Sequence, residues 1–213
     1  MSTKKMTTVG MLCSMAVIVN LVIHIPLIPA VSFLCYDPKD VIIIVGGFIY
    51  GPGVAVIMSA ITSVLELMYR GGTIIDVLMN MISTCTFVLP AAFMYKKYHT
   101  KKGAMAGLII GIIACTCSML LWNYVVTPIY FGMPREAVVK LLIPGILPFN
   151  LIKCGINTVF TLLLYKPFVN TLRRTNLVGK NDYNDNMTRD IVILIIFIVI
   201  SIVCFVLGFK EII

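Results

Sequence analysis

Asn150 and Lys153 interrupt an otherwise apolar stretch, LPFNLIKCGINTVF, at residues 147–160. Because residues three apart lie side by side on a helix, these two side chains present an amide and an ammonium group together. An amide both donates and accepts hydrogen bonds, whereas an ammonium group only donates. The pair would match a ligand with adjacent carbonyl and N–H groups on a flat edge. The alternative for Lys153 is that its ammonium group extends to the membrane surface.

Other polar side chains interrupt the remaining apolar stretches of the chain. They are Glu66, Asp76, Asn20, Asn80 and Asn123. Charges at membrane depth are costly and commonly face the interior of a helix bundle or a cavity. Asn80 or Asn123, taken alone, is better explained as a hydrogen bond between helices. Glu66 is best explained as a rim charge paired with Arg70, four residues later.

The sequence lacks the motifs of an enzyme or an ATPase. Gly46 and Gly51 have the spacing of a phosphate-binding loop, but Pro52 stands where its lysine should be. Neither G-x-S-x-G nor H-E-x-x-H is present. The chain has seven cysteines, most of them inside apolar stretches, and only two histidines, so we predict no metal site. These features predict a protein that captures a solute without catalytic residues and without driving its movement.

The composition is that of an all-α integral membrane protein. Hydrophobic residues make up 60% of the 213 residues, charged residues only 12%, and the mean hydropathy is +1.02. A soluble domain carries about twice that charged fraction. The net charge of +8 comes from basic residues at the junctions between apolar runs, as expected beside a lipid bilayer. We therefore predict no binding to nucleic acid.

A helix needs roughly 20 apolar residues to cross a bilayer. The candidate spans are residues 6–24, 40–50, 53–69, 74–95, 103–125, 148–170 and 191–209. We predict that two apolar, proline-containing segments, 25–39 and 126–147, are irregular. The sequence thus divides into a six-span substrate-binding membrane domain (1–172), a polar linker (173–190) and an additional C-terminal transmembrane helix (191–213). The alternative for the first span is a secretory signal peptide, but no clear cleavage site follows it.

Basic residues predict the orientation of these spans. With the N-terminus inside the cell, the cytoplasmic segments hold eleven of the 17 lysines and arginines, and the external segments hold four: Lys39, Arg70, Arg135 and Lys140. Because basic residues favour the cytoplasmic side, we predict a cytoplasmic N-terminus. Both irregular segments then lie outside, and the polar residues inside the spans converge on the outer half of the bundle beneath them.

Five segments resemble one known family in the correct order. They are FLCYDPKDV (33–41), GGFIYGPG (46–53), GGTIIDVLMN (71–80), WNYVVTPIY (122–130) and PFNLIK (148–153). Together they resemble the riboflavin-specific S component, the substrate-binding subunit, of energy-coupling factor transporters. The resemblance implies a six-helix bundle in the bacterial plasma membrane. It also implies riboflavin as the transported substrate with no further cofactor, and a transmembrane coupling subunit and two ATPase subunits as partners.

The resemblance also implies roles for individual residues. Asn150, Lys153 and Asn123 would hydrogen-bond the flavin, Leu34 and Tyr36 would close over its ring, and Gly72, Thr73 and Asn80 would line the fourth span. Asp37 and Asp40 have structural explanations instead, as an aspartate before proline and as the cap of the following helix.

The first span carries small residues that the resemblance connects with the coupling subunit. Gly10, Ser14 and the nearby Ala16 approximate the alanine-x-x-x-alanine strip of the family. Two alternatives for the whole chain stay open, namely an S component for another vitamin or precursor and a membrane-embedded enzyme that uses Asp76 or Glu66. The enzyme is disfavoured because neither carboxylate has an evident carboxylate or histidine partner.

Overall fold

The computed structural model describes residues 3–28, 31 and 33–174, which are mostly helical. The helices are α1 (Thr3–Val22), α2 (Lys39–Tyr50), α3 (Pro52–Arg70), α4 (Ile74–Tyr98), α5 (Lys101–Phe131), α6 (Arg135–Leu141) and α7 (Leu147–Arg174). Within these residues, five helices are long and apolar enough to cross a membrane. The predicted all-α membrane bundle is therefore confirmed. The linker beyond residue 174 and the span at 191–209 lie outside the described residues.

The short helix α2 lies at the centre of the bundle. Its 12 residues extend only about 18 Å, which is less than the thickness of a bilayer core. All of them except Ile49 are buried, and α1, α3, α4 and α7 pack around them. Because α2 is too short to reach both membrane surfaces, its first residues, Lys39 and Asp40, begin inside the protein.

Helices α4 and α5 pack closely because glycines on α5 face the backbone of α4. A Cβ atom at Gly107 would lie 2.7 Å from Ala91 Cα and 2.8 Å from the Pro90 carbonyl oxygen. Only glycine allows this approach of two helix backbones. The contact fixes the spacing of the two helices that carry Asn80 and Asn123.

The prediction of an irregular segment at 126–147 is wrong for most of that range. Helix α5 continues to Phe131, α6 follows after Pro134, and residues 142–146 form a π-helical turn that leads directly into α7. The prediction treated the prolines as helix breakers. Proline is tolerated within a buried helix when neighbouring groups hydrogen-bond the backbone carbonyl groups that it leaves without a partner. Pro144 and Pro148 have no backbone N–H group, which is consistent with the change in hydrogen-bond register at the π-helical turn.

The first connection, which was predicted to be irregular, forms a small hairpin. Strand β1 (Ile25–Pro26) pairs antiparallel with β2 (Cys35–Tyr36). Phe33, between the strands, packs against Phe131 at the end of α5, with ring centroids 5.2 Å apart and ring planes tilted by 53°. The hairpin therefore lies over the end of the bundle where α3, α4, α5 and α7 meet.

Candidate ligand-binding site

A cavity of about 210 Å³ lies beneath the hairpin, between α3, α4, α5 and α7. Its polar lining residues are His24, Asp37, Ser63, Glu66, Arg70, Asp76, Asn80, Ser83, Asn123, Asn150 and Lys153. Apolar lining comes from Leu34, Met79, Met119 and Phe149, among others. A concave site that combines apolar surface with polar groups of fixed position is typical of sites that bind small molecules.

The cavity brings together most of the residues that the sequence singled out. Asn150, Lys153, Asn123, Asn80 and Leu34 all line it. Tyr36, Gly72 and Thr73 lie beside the cavity and are not among its described lining residues. The polar residues of α3, α4, α5 and α7 therefore lie together at one end of the bundle, as the sequence predicts.

Lys153 points into the protein. It is only 5% exposed, and its Nζ atom lies 2.5 Å from Asp37 Oδ1 and 3.8 Å from Asp40 Oδ2. The alternative in which the ammonium group reaches the membrane surface is therefore wrong. Because an ammonium group has three N–H donors, the short ion pair to Asp37 leaves donors for the cavity that Lys153 lines.

Asn123 and Asn150 are buried amides anchored to their own helices. Asn123 Nδ2 donates to the Met119 carbonyl oxygen and Asn150 Nδ2 to the Ile146 carbonyl oxygen, each at 2.8 Å. Each Nδ2 carries a second hydrogen. These amides are therefore held in place with a donor still available on the cavity side.

Asn80 differs from the other two amides because it bonds to a neighbouring helix. Its Nδ2 atom donates to Glu66 Oε2 of α3 at 3.2 Å. The alternative explanation of Asn80, a hydrogen bond between helices, is therefore also realised, although the residue still lines the cavity.

Glu66 forms the predicted ion pair with Arg70, at 2.7 Å between Oε1 and Nη1. It is not a rim charge, however, because the residue is only 7% exposed. Its second oxygen, Oε2, also accepts a hydrogen bond from Lys39 Nζ. One carboxylate thus holds two cations, from α2 and α3.

Lys39 is the main residue that sequence reasoning missed. It was assigned to an external loop, but it is only 1% exposed and its Nζ atom also lies 3.2 Å from Asp37 Oδ2. Burial alone would raise the pKa of Asp37, but the ammonium groups of Lys153 and Lys39 outweigh it and lower this pKa to about 2. Asp37 therefore stays ionised between two lysines.

Asp40 takes part in the buried hydrogen bonds and ion pairs around Lys153. The prediction that it caps α2 is wrong. Pro38 occupies the N-cap position of α2 without a side-chain cap. The Asp40 carboxylate instead accepts hydrogen bonds from Thr84 Oγ1 at 2.7 Å and from Asn157 Nδ2 at 3.4 Å. A buried lysine at position 153 requires a buried counter-charge, but the sequence does not show which carboxylates supply it.

Tyr36 anchors the hairpin to α7. Its hydroxyl donates to Asn157 Oδ1 at 2.9 Å, and the side chain is buried. Burial and the carboxylate of Asp37 raise the pKa of Tyr36 to about 12, so the phenol remains a neutral donor. Sequence reasoning missed Asn157, because a single amide in an apolar helix gives no sign of its partner.

Gly72 and Thr73 shape the turn between α3 and α4. Gly72 has a φ of +123°, which favours glycine. The Thr73 N–H group donates to Asp76 Oδ2 at 2.8 Å, and Tyr130 OH donates to the same oxygen at 2.7 Å. Asp76 therefore ties the start of α4 to the end of α5 at the rim of the cavity.

The small residues of α1 divide between two faces. Gly10 and Ser14 are exposed, whereas Ala16 is completely buried in the core. The surface available to a partner therefore includes Gly10 and Ser14 but not Ala16.

These observations define the class of protein. Membrane-length helices enclose a cavity with fixed amide, ammonium and carboxylate groups, and the described residues contain no group of three metal-binding side chains. The chain is a membrane protein with a cavity whose lining is suited to a small molecule.

A comparison with known protein families identifies this class. The profile described as "ECF transporter, substrate-specific component" matches residues 4–165. The chain belongs to this family of substrate-specific components of ECF transporters. Membership also confirms the prediction that the protein serves transport and is not an enzyme.

Individual relatives are similar over most of their length. The chain is 32% identical to the riboflavin transporter FmnP of Bacillus subtilis, over 83% of this chain and 100% of the relative. It is 29% identical to the riboflavin transporter RibU of Staphylococcus aureus, over 80% and 93%. A solved structure described as "Structure and mechanism of the S component of a bacterial ECF transporter" superposes with a TM-score of 0.70 at 28% identity. That match covers 79% of this chain and 97% of the solved one.

Proposed function

We propose that the protein captures riboflavin at the outer side of the bacterial plasma membrane and delivers it for uptake by an ATP-driven ECF transporter. The observation that carries this proposal is the cavity in which Asn123, Asn150 and Lys153 converge among apolar walls. Riboflavin transporters among the relatives support the choice of ligand. Riboflavin is then the transported substrate, and we expect no further cofactor.

The chemistry of the cavity matches a flavin ring. An isoalloxazine has a flat apolar body and one polar edge with carbonyl and imide N–H groups. Leu34, Met79 and Phe149 supply apolar surface for the body. Asn150 and Lys153, one turn apart on α7, would hydrogen-bond the polar edge.

The volume of the cavity suggests how the ligand would enter. Small-molecule sites typically have roughly 300–1,000 Å³, and this cavity has about 210 Å³. The hairpin supplies Phe33, Leu34 and Cys35 to one wall. Because its two strands contain only two residues each, we expect the hairpin to shift outward when a tricyclic ring binds.

Orientation and partners complete the proposal. The distribution of lysines and arginines supports a cytoplasmic N-terminus, which places the cavity towards the outside. The sequence has no phosphate-binding loop, so ATP hydrolysis must come from other chains. We propose a transmembrane coupling subunit and two ATPase subunits as those partners.

Titration of the purified protein with riboflavin tests the proposal. We expect quenching of flavin fluorescence on binding and an increase in the unfolding temperature. Asn150→Ala should weaken binding by about 1–3 kcal/mol, because a polar group of the bound ligand would lose its partner. Thr7→Ala, at an exposed position near the start of α1, should bind as the wild type does. Wild-type protein that neither quenches riboflavin nor gains stability would refute the proposal and favour another vitamin.

The exposed small residues of α1 are proposed as the contact with the coupling subunit. No atom lies within 4 Å of a Cβ atom placed at Gly10. Gly10→Leu should therefore leave folding and riboflavin binding unchanged, yet reduce uptake in cells at least several-fold by holding the two subunits apart. Gly10→Ala should have a smaller effect. Normal uptake by the leucine variant would place the coupling surface elsewhere.

A further inference from the structure

More negative than positive groups surround the cavity. Four carboxylates and three cations line it or pair with its lining residues: Asp37, Asp40, Glu66, Asp76, Lys39, Arg70 and Lys153. The set has a net charge of −1 when all seven are ionised. His24 also lines the cavity, but partial burial and the nearby Arg70 lower its pKa, so it adds no charge near neutral pH.

Each of the three cations already has a carboxylate partner. Lys153 pairs with Asp37, and Lys39 pairs with both Asp37 and Glu66. Arg70 pairs with Glu66 through Nη1 and donates through Nη2 to the Asn20 carbonyl oxygen at 2.5 Å. Among the described residues around the cavity, therefore, no cation is left without an anionic partner.

Asp37 and Glu66 each pair with two cations, but Glu66 is the carboxylate that pairs with Arg70. Its two oxygens bind Arg70 and Lys39, which belong to different helices. Asp76 accepts hydrogen bonds from Thr73 and Tyr130, which are neutral. Glu66 thus neutralises Arg70, the cation of the set whose side chain is 22% exposed and nearest to solvent.

We propose that Glu66 makes the cavity selective for an uncharged flavin over its phosphorylated counterpart. A phosphate monoester carries between one and two negative charges at neutral pH and needs cationic or N–H donors when it leaves water. Glu66 already pairs with Arg70 and would repel the phosphate. The hydroxyl groups of an uncharged tail can accept hydrogen bonds from Arg70 and donate them to Glu66. This inference rests on the proposed binding of riboflavin and adds a residue that determines specificity.

The first experiment uses the wild-type protein and three ligands. These are riboflavin, riboflavin 5′-phosphate and a neutral 5′-acetyl ester of riboflavin, each titrated by fluorescence quenching. We expect the acetyl ester to bind within about threefold of riboflavin and the phosphate to bind at least tenfold more weakly. Equal rejection of the ester and the phosphate would mean that size, not charge, is discriminated, and would overturn the inference.

The second experiment removes the charge. Glu66→Gln keeps the size of the side chain and should reduce the preference for riboflavin over its phosphate by about tenfold, the effect of one charge at short range. Glu136→Gln removes a carboxylate on α6 that is exposed and not among the lining residues, and should leave the preference unchanged. An unchanged preference in Glu66→Gln would overturn the inference.

The two experiments separate this inference from the proposed function. If wild-type protein fails to bind riboflavin itself, the proposed function fails. If riboflavin binds and only the expected preference is missing, the inference about Glu66 fails alone. Should Glu66→Gln not fold, the comparison of the ester with the phosphate on the wild type still decides whether charge is discriminated.

Discussion

Replacing Lys153 with methionine is expected to abolish riboflavin binding at micromolar concentrations and to lower the free energy of unfolding by about 3–5 kcal/mol. Methionine has a similar length but no charge, so the ion pair to Asp37 and the contact to Asp40 disappear. Both carboxylates are almost completely buried. Removal of Lys153 leaves Asp37 with one of its two lysine partners, Lys39, and takes away the ion pair of Asp40. The buried carboxylates are then undercompensated, and this cost exceeds that of losing a ligand contact alone.

A double variant separates the two effects of Lys153→Met. Addition of Asp37→Asn removes one of the two buried carboxylates that faced Lys153, so the double variant should recover a substantial part of the lost stability. It should not recover riboflavin binding, because the ammonium donor is still missing. Lys140→Met serves as the control, since Lys140 is exposed on α6 and should change neither quantity measurably.

Fluorescence titration and denaturant unfolding in mixed micelles measure these outcomes. Recovery of binding by the double variant would mean that Lys153 acts only through the structure of the site. A Lys153→Met protein as stable as the wild type would contradict the ion pairs on which the description of the cavity depends.

The contacts of Lys153 also explain which parts of the site could be predicted from the sequence. Asn150 and Lys153 were identifiable because they are polar residues at helical spacing in an apolar run. Their partners were not, because Asp37, Lys39 and Asp40 stand together at the start of an apolar segment and resemble a solvated turn. Only the tertiary position of α2, buried at the centre of the bundle, places all three inside the protein.

The fold shows the same division between local and tertiary information. Hydropathy located the membrane helices to within a few residues at most of their ends, because a span requires a nearly continuous apolar run. It did not predict α6 or the π-helical turn, since prolines in that region resemble helix breakers. Whether proline interrupts a helix depends on the groups that surround it, and those are set by the packing of other segments.

Gly107→Val is expected to destabilise the protein by about 3 kcal/mol through the contact between α4 and α5. A Cβ atom at this position would overlap Ala91 Cα and the Pro90 carbonyl oxygen. Because these atoms belong to the backbone, a change of side-chain rotamer cannot relieve the overlap, and the helices must separate. The separation would also displace Asn123 relative to Asn80, so riboflavin binding should weaken in parallel.

Gly155→Val provides a matched control for this expectation, since no atom lies within 4 Å of a Cβ atom at Gly155 on α7. The two variants make the same substitution within helices, so the difference in their unfolding free energies isolates the cost of the close contact. If both variants unfold at the same denaturant concentration, the close approach of α4 and α5 at Gly107 does not contribute to stability. If Gly107→Val alone is destabilised, this approach fixes the two helices on which Asn80 and Asn123 are held.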